Sequence, residues 1–206
     1  RTTVSVVEQN VDTGGLKLNF GSVEAMTTLA ELTARGEGFG KDIGLGSKRL
    51  CEKYGSGAVE RQQYEEIIDR IDEGLRPFDE EHGISNYLAS NDIQMLGTSG
   101  TVTTLGGIYL NLDRYDRSQV DGLDMRVETI AAISDRLARM DLAQRAENGC
   151  IGEERADLVV MGCAIMEAIC RRCPSPKIRA ADRGIREGLL MGLMRDNGDV
   201  LNGALS

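Results

Sequence analysis

Gly97, Thr98, Ser99, Gly100 and Thr101 follow the apolar run 93–96 and precede a helix-like stretch from Val102 to Leu112. A glycine-rich turn between a strand and a helix N-terminus lets backbone N–H groups converge on an anion, and the helix dipole adds a partial positive charge. Gly97 and Gly100 permit close backbone approach, while Thr98, Ser99 and Thr101 add hydroxyls that can donate to phosphate oxygens. The same residues also suit a plain tight turn with Thr101 as the helix N-cap. No Lys follows Gly100, so this is not a Walker loop, and the spacing is not that of the Gly-x-Gly-x-x-Gly dinucleotide turn. A second turn, Asp12-Thr13-Gly14-Gly15, lies beyond the β-branched stretch 2–7. A carboxylate beside two glycines suits Mg²⁺, held by Asp12 directly or through water next to a phosphate. An ordinary Asp-initiated turn has the same composition. Two such turns on separate strands can face one cleft.

Other reactive residue types fit blander roles. Cys170 and Cys173 have redox or zinc-ligand spacing, but low-pKa cysteines want a helix N-terminus and these close a helix. No second Cys pair or nearby His completes a tetrahedral site, so they read as core or helix-end cysteines. His82, the sole histidine, lies among Glu80, Glu81 and Gly83 and reads as part of a solvated loop, which disfavours Ser-His-Asp chemistry. Arg171, Arg172, Lys177, Arg179, Arg183 and Arg186 form the one basic concentration. It is either a local field for a polyanion or a helix C-terminus followed by exposed pairs.

The elements that must position these groups follow from periodicity. Residues 2–7 and 18–20 read as strands, whereas 21–46 mix helical composition with Gly36, Gly38, Gly40, Gly44 and Gly46 and define no regular element. Tyr64, Ile67, Ile68, Ile71 and Leu75 stripe a helix from Arg61 that Pro77 ends. Residues 93–96 form a short buried strand. Val127, Ile130, Ile133, Leu137 and Met140 stripe another helix, and Asp141 with Gln144 makes a capping box for the next. Residues 155–173 are apolar almost all round, a core helix stopped by Pro174 and Pro176. Residues 177–181 read as a strand and 184–194 as a helix. Strands alternate with helices, so the expected fold class is α/β, with residues 1–206 as one domain.

The chain has 206 residues, 41% hydrophobic, enough to bury a sizeable core without staples. Its formal net charge of −9 argues against general nucleic-acid binding. No apolar run reaches the roughly 18 residues of a membrane span, and no signal peptide is evident. Five cysteines, odd in number and mostly in apolar segments, suit a reducing compartment, so the expected location is the cytoplasm. The chain starts at Arg1 directly before a strand, which suggests a fragment.

Four separated motifs carry a resemblance. Gly97-Thr-Ser-Gly-Thr-Val-Thr-Thr-Leu105 is followed by Tyr115-Asp116-Arg117 with Val120-Asp121-Gly122-Leu123. Then come Cys150-Ile-Gly-Glu-Glu-Arg155-Ala156-Asp157-Leu158 and Asp182-Arg-Gly-Ile-Arg186-Glu187-Gly188. In this order, over about residues 42–194, they resemble the exopolyphosphatase and guanosine pentaphosphate phosphohydrolase (Ppx/GppA) family. The resemblance implies an actin-like, ribonuclease H-like ATPase fold with a small mixed sheet flanked by helices. It also implies an enzyme that hydrolyses a terminal phosphoanhydride of polyphosphate or guanosine pentaphosphate, with Mg²⁺, and it leaves room for a homodimer. The family's phosphate loop runs approximately Asp-x-Gly-Gly-Gly-Ser-x-Glu-Leu. Asp12, Gly14 and Gly15 match it, but Leu16, Lys17 and Asn19 replace its third Gly, its Ser and its Glu. The family's catalytic carboxylate lies in an N-terminal domain with no counterpart here, so the chain resembles the second, C-terminal domain alone and no catalytic residue is assigned. A non-catalytic phosphate or nucleotide-alarmone binding module is the alternative that these departures favour.

Overall fold

The computed structural model describes residues 4–8, 47–82, 85–86, 93–182, 190 and 193–194. Four short strands, β1 (Val4–Glu8), β2 (Ile93–Gly97), β3 (Asp124–Arg126) and β4 (Lys177–Ala180), form one mixed sheet in the order β1-β2-β4-β3. β2 and β4 run parallel, with Gly97 opposite Ala180, while β1 and β3 pair antiparallel on the two edges. β3 is too short for a periodic signal and was not expected from sequence. It is held by cross-strand pairing, by the fully buried Met125, and by the Asp124 carboxylate, which accepts from Lys177 Nζ at 2.5 Å and Arg179 Nε at 2.6 Å.

Eight helices fill the described residues between and around these strands: α1 (Ser47–Tyr54), α2 (Arg61–His82), α3 (Gly100–Tyr109), α4 (Arg117–Val120), α5 (Val127–Arg139), α6 (Leu142–Ala146), α7 (Glu153–Ala156) and α8 (Val159–Arg172). The core lies where α8, buried almost all round, meets the apolar stripe of α2 and is flanked by α5 and α1. Ile67, Ile68 and Ile71 from α2 are fully enclosed, as are Met161 and Met166 from α8. Each such side chain contributes about 1.5–3 kcal/mol through the water it leaves. Tyr64 donates its hydroxyl to Glu167 Oε1 at 2.8 Å inside this contact, and burial pushes the Glu167 carboxyl above its ordinary pKa. One turn on in α8 Arg171 reaches Glu65 at 2.5 Å, and Arg172 Nε donates to Asp72 at 2.8 Å.

The expected periodic helices are present, and so is the capping box. Gln144 N donates to Asp141 Oδ1 at 2.8 Å, and Asp141 N donates to Gln144 Oε1 at 2.9 Å. Two boundaries differ from expectation. Pro77 does not end α2, which runs on to His82. The extension is pinned by buried Asp79, whose carboxylate accepts from Ser85 N at 2.7 Å and Ser85 Oγ at 2.8 Å and lies 3.7 Å from Arg172. His82 is accordingly the last residue of a helix rather than part of a loop. The stretch expected as one core helix over 155–173 is split into α7 and α8, with the Asp157 carbonyl turned to accept from Cys51 Sγ at 3.1 Å. Residues 18–20 and most of the helix expected over 184–194 lie outside the described residues.

One buried cation had no sequence signal. Arg145 in α6 is fully enclosed, and its Nη2 donates to the carbonyls of Ser56 and Gly57 in the α1–α2 connection. Burial pushes its pKa down, against the charges of Cys51 and Asp141.

Two stability measurements check this architecture. A Cβ at Gly149 would stand 2.1 Å from the backbone oxygen of Asp113, which cannot move aside as a side-chain end can. Gly149→Ala should therefore lose about 3 kcal/mol in urea unfolding. Partial burial pushes Asp124 up, but the hydrogen bonds and charges of Arg179 and Lys177 outweigh it and hold the carboxyl below its usual range. Its contribution is thus full above the unfolded value near 3.9 and is lost as pH falls through the lower folded value. Asp124→Asn should unfold more readily than the parent at pH 6, and the gap should narrow on acidification below about pH 4.

Candidate functional site

The turn singled out from sequence joins a parallel strand to a helix. β2 ends at Gly97 and α3 begins at Gly100. The N-cap is Ser99, not Thr101: Ser99 is extended (φ −86°, ψ 157°), and its Oγ accepts from Val102 N at 3.4 Å. The Ser99 carbonyl accepts from Thr103 N at 3.1 Å. A helix leaves its first N–H groups without internal partners, and Ser99 satisfies one of them. Among the described residues, the Gly100 and Thr101 amides have no acceptor. Thr101 lies in the same first turn of the helix, packed on α8, where a Cβ at Gly162 would come within 2.3 Å of its Oγ1. Ser99 is buried, Thr98 half-buried and Gly100 exposed. A side chain at Gly97 would strike Val102, so that glycine serves a close approach within the turn.

The other motif residues gather around this turn. Ala181 N donates to Gly97 O at 2.9 Å, which sets Asp182 beside the end of β2. The Asp182 carboxylate accepts from Tyr115 Oη at 2.5 Å and pairs with Arg117 Nε at 3.3 Å, while its backbone N–H donates to Asp121 Oδ1 at 2.9 Å. Arg117 Nη2 also donates to the Asp182 carbonyl. Burial, and then the hydrogen bond and charge of Asp182, push the Tyr115 phenol well above its ordinary pKa, so it stays a donor. From α7, Arg155 Nη1 donates to Gly100 O at 3.2 Å and to Thr104 Oγ1 at 3.0 Å. Residues 97–101, Tyr115, Arg117, Asp121, Arg155 and Asp182 therefore meet at the carboxyl ends of β2 and β4. Ligand crevices open at such strand ends in α/β sheets. A guanidinium beside a helix N-terminus opposes the macrodipole, and an anion lying between them reverses the sign of that interaction.

Several sequence candidates fall elsewhere. Asp12, Gly14 and Gly15, with Leu16, Lys17 and Asn19, lie outside the described residues, as do Arg183 and Arg186. The basic concentration is not a field open to a polyanion in its described part. Arg171 and Arg172 pair with Glu65, Asp69, Asp72 and Asp79 of α2, and Lys177 and Arg179 pair with Asp124. Burial pushes the Cys170 and Cys173 thiols up to about 12 and about 11, so both stay protonated core groups at the end of α8. Among the described residues no three His, Cys, Asp or Glu gather as a metal site. Arg155, Tyr115 and Asp182 stood in the quoted motifs without an assigned role, because sequence separation hides which of them meet the turn.

Comparison with known proteins agrees with this fold. The structure of an exopolyphosphatase-like protein matches with a TM-score of 0.63 and 24% identity, over 74% of this chain and 49% of that one. The Aquifex aeolicus PPX-GPPA enzyme matches at 0.61 and 19%, over 71% and 46%. An exopolyphosphatase from Cytophaga hutchinsonii matches at 0.61 and 18%, over 73% and 48%. The chain has the mixed α/β, actin-like ATPase fold of Ppx/GppA structures, and it spans about half the length of those it matches. A family profile described as aldehyde ferredoxin oxidoreductase, domains 2 and 3, matches residues 6–64, less than half of the chain and short of every residue gathered around the turn. No curated protein matches. Among the described residues no helix is long and apolar enough to cross a membrane.

The Tyr115–Asp182 bond is the link most easily cut without changing shape. Tyr115→Phe removes a hydrogen bond to a charged acceptor, and thermal unfolding should show a loss of about 1.5 kcal/mol with helix content unchanged.

Proposed function

We propose that this chain is the second, C-terminal half of a Ppx/GppA-type phosphatase of the cytoplasm, and that it supplies one phosphate-binding wall of the cleft. Joined to an N-terminal domain, it hydrolyses the terminal phosphoanhydride of polyphosphate or guanosine pentaphosphate. The observation that carries this reading is the meeting of four separated motifs at the first turn of α3. There the Gly100 and Thr101 amides can face an anion, the Thr98 and Ser99 hydroxyls add donors, and Arg155 and Arg117 hold the turn and Asp182 around it. The names of the matched structures point the same way.

The described residues do not by themselves make a Mg²⁺ site, and Asp182 is held by Tyr115 and Arg117. The ion's proposed ligand is Asp12 of the Asp12-Thr13-Gly14-Gly15 turn, a carboxylate next to two glycines in sequence. No described residue is assigned as the base that activates water. Losing a positioned base forfeits about 10²- to 10⁴-fold, and losing one wall of the cleft forfeits orientation as well.

Phosphate release from tripolyphosphate by this chain with Mg²⁺ should accordingly stay at background, while a protein joining it to the N-terminal domain should turn over. Turnover by the chain alone would sink the half-enzyme reading. Calorimetric titration should show tripolyphosphate binding to the chain, and Gly100→Val, which presses on the Arg155 guanidinium, should weaken it about tenfold with the circular dichroism unchanged. A second reading, a non-catalytic alarmone-binding module, is favoured by Leu16, Lys17 and Asn19 at the family's loop positions. Guanosine pentaphosphate bound but never hydrolysed by the joined protein would select it.

A further inference from the structure

We infer that Arg155 is a positioning residue, acting on the anion through the first turn of α3 rather than by its own charge, and that Gly100 is glycine to let it do so. The inference rests on the phosphate-binding reading of the turn and adds how the turn is kept in shape. A Cβ built on Gly100 would lie 3.2 Å from Arg155 Cζ, 3.2 Å from Nη1 and 3.3 Å from Nη2. Near-equal distances to three atoms of one plane mean that the guanidinium lies face-on over residue 100. Its Nη1 is engaged by two acceptors of that turn, Gly100 O at 3.2 Å and Thr104 Oγ1 at 3.0 Å. Gly100 is φ-negative like ordinary helix residues, so left-handed backbone does not explain the glycine.

The opposite side of the same turn is closed by α8. Thr101 packs against Gly162, where a Cβ would come within 2.3 Å of Oγ1 and 3.0 Å of Cγ2. Thr104, one turn on, is fully buried, so its hydroxyl is a fixed anchor rather than a solvated one. Arg155 in α7 and Gly162 in α8 come from one continuous stretch, and together they grip the turn from two sides. An aligned turn holds its Gly100 and Thr101 amides in convergent directions before any ligand arrives, which spares the ordering cost on binding. Lys in place of Arg155 lacks the plane that lies on Gly100.

The test is a double-mutant cycle on the purified chain with Arg155→Gln, Thr104→Val and the pair, Thr104→Val being close to isosteric and keeping Arg155's charge. Two readouts are taken: tripolyphosphate affinity as a function of salt, and amide hydrogen exchange of residues 100–103 without ligand. Each single variant should weaken binding about tenfold, the pair should lose no more than either alone, and the salt dependence should match the parent. Exchange at Val102 and Thr103 should accelerate in all three. Unchanged affinity in Thr104→Val, or additive losses with a shallower salt dependence in Arg155→Gln, would mean that Arg155 meets the anion directly and would overturn the inference. If the parent binds no tripolyphosphate, the phosphate-binding reading fails, and exchange alone decides: parent-like protection in Arg155→Gln refutes the grip, and faster exchange retains it.

Discussion

The parallel pairing of β2 with β4 is the constraint on which the rest depends. Opposing Gly97 to Ala180 and bonding Ala181 N to Gly97 O brings two chain ends together that are more than eighty residues apart in sequence. Parallel strands need a crossover, and here it contains α3 through α8, which together with α1 and α2 make the core. The sheet therefore does two things at once: it closes the core beneath it and sets two strand ends side by side above it. β3 adds to β4 through Asp124, and the Gly122 and Leu123 backbone bonds to Ala180 carry the 121–123 loop up to Asp182.

The second support is the α2–α8 contact, because α8 runs from the core to the back of the turn. Its C-terminal end is gripped by Arg171 and Arg172 against four carboxylates of α2, and its first turns reach Thr101 through Gly162. Partly exposed ion pairs of this kind contribute little each, so the burial of Ile67, Ile68, Ile71, Met161 and Met166 supplies most of the affinity and the pairs set the register. A rigid α8 is what makes the Thr101 side of the turn a wall rather than a loop.

Local features were legible in the sequence where one period or one cap decides them. α2 and α5 announce themselves by apolar spacing, the Asp141–Gln144 box by its two residue types, and residues 93–101 by a strand running into glycines. What could not be read depends on partners distant in the chain. Thr101 and Ser99 are both able caps, and only the packing of Thr101 on Gly162 assigns the role to Ser99. Pro77 looks like a stop because its missing N–H breaks a bond, yet Ser85 and Arg172 hold the next turn in place through Asp79. β3 is three residues whose strand conformation is a property of β4. The grouping of Arg171, Arg172, Lys177 and Arg179 in sequence suggested a field, but acids brought by α2 and β3 neutralise it.

That neutralisation bears on how so acidic a chain can meet a polyanion. With a net charge of −9 the average field repels phosphate, and four of the six clustered cations are consumed by internal pairs. On the proposed phosphate-binding reading, attraction must then be local and short-ranged. Backbone amides and a helix dipole serve this, because they carry no net charge to be cancelled by distant carboxylates and act within the first turn. Arg117 has its charge balanced by Asp182, which leaves its geometry more useful than its field. Recognition that relies on oriented dipoles is sensitive to fractions of an ångström, so a turn of this composition needs to be held from several sides. Gly97 against Val102, Gly100 against Arg155 and Thr101 against Gly162 are three close approaches within one turn. The density of glycines there follows from the packing around the turn, whatever the turn binds.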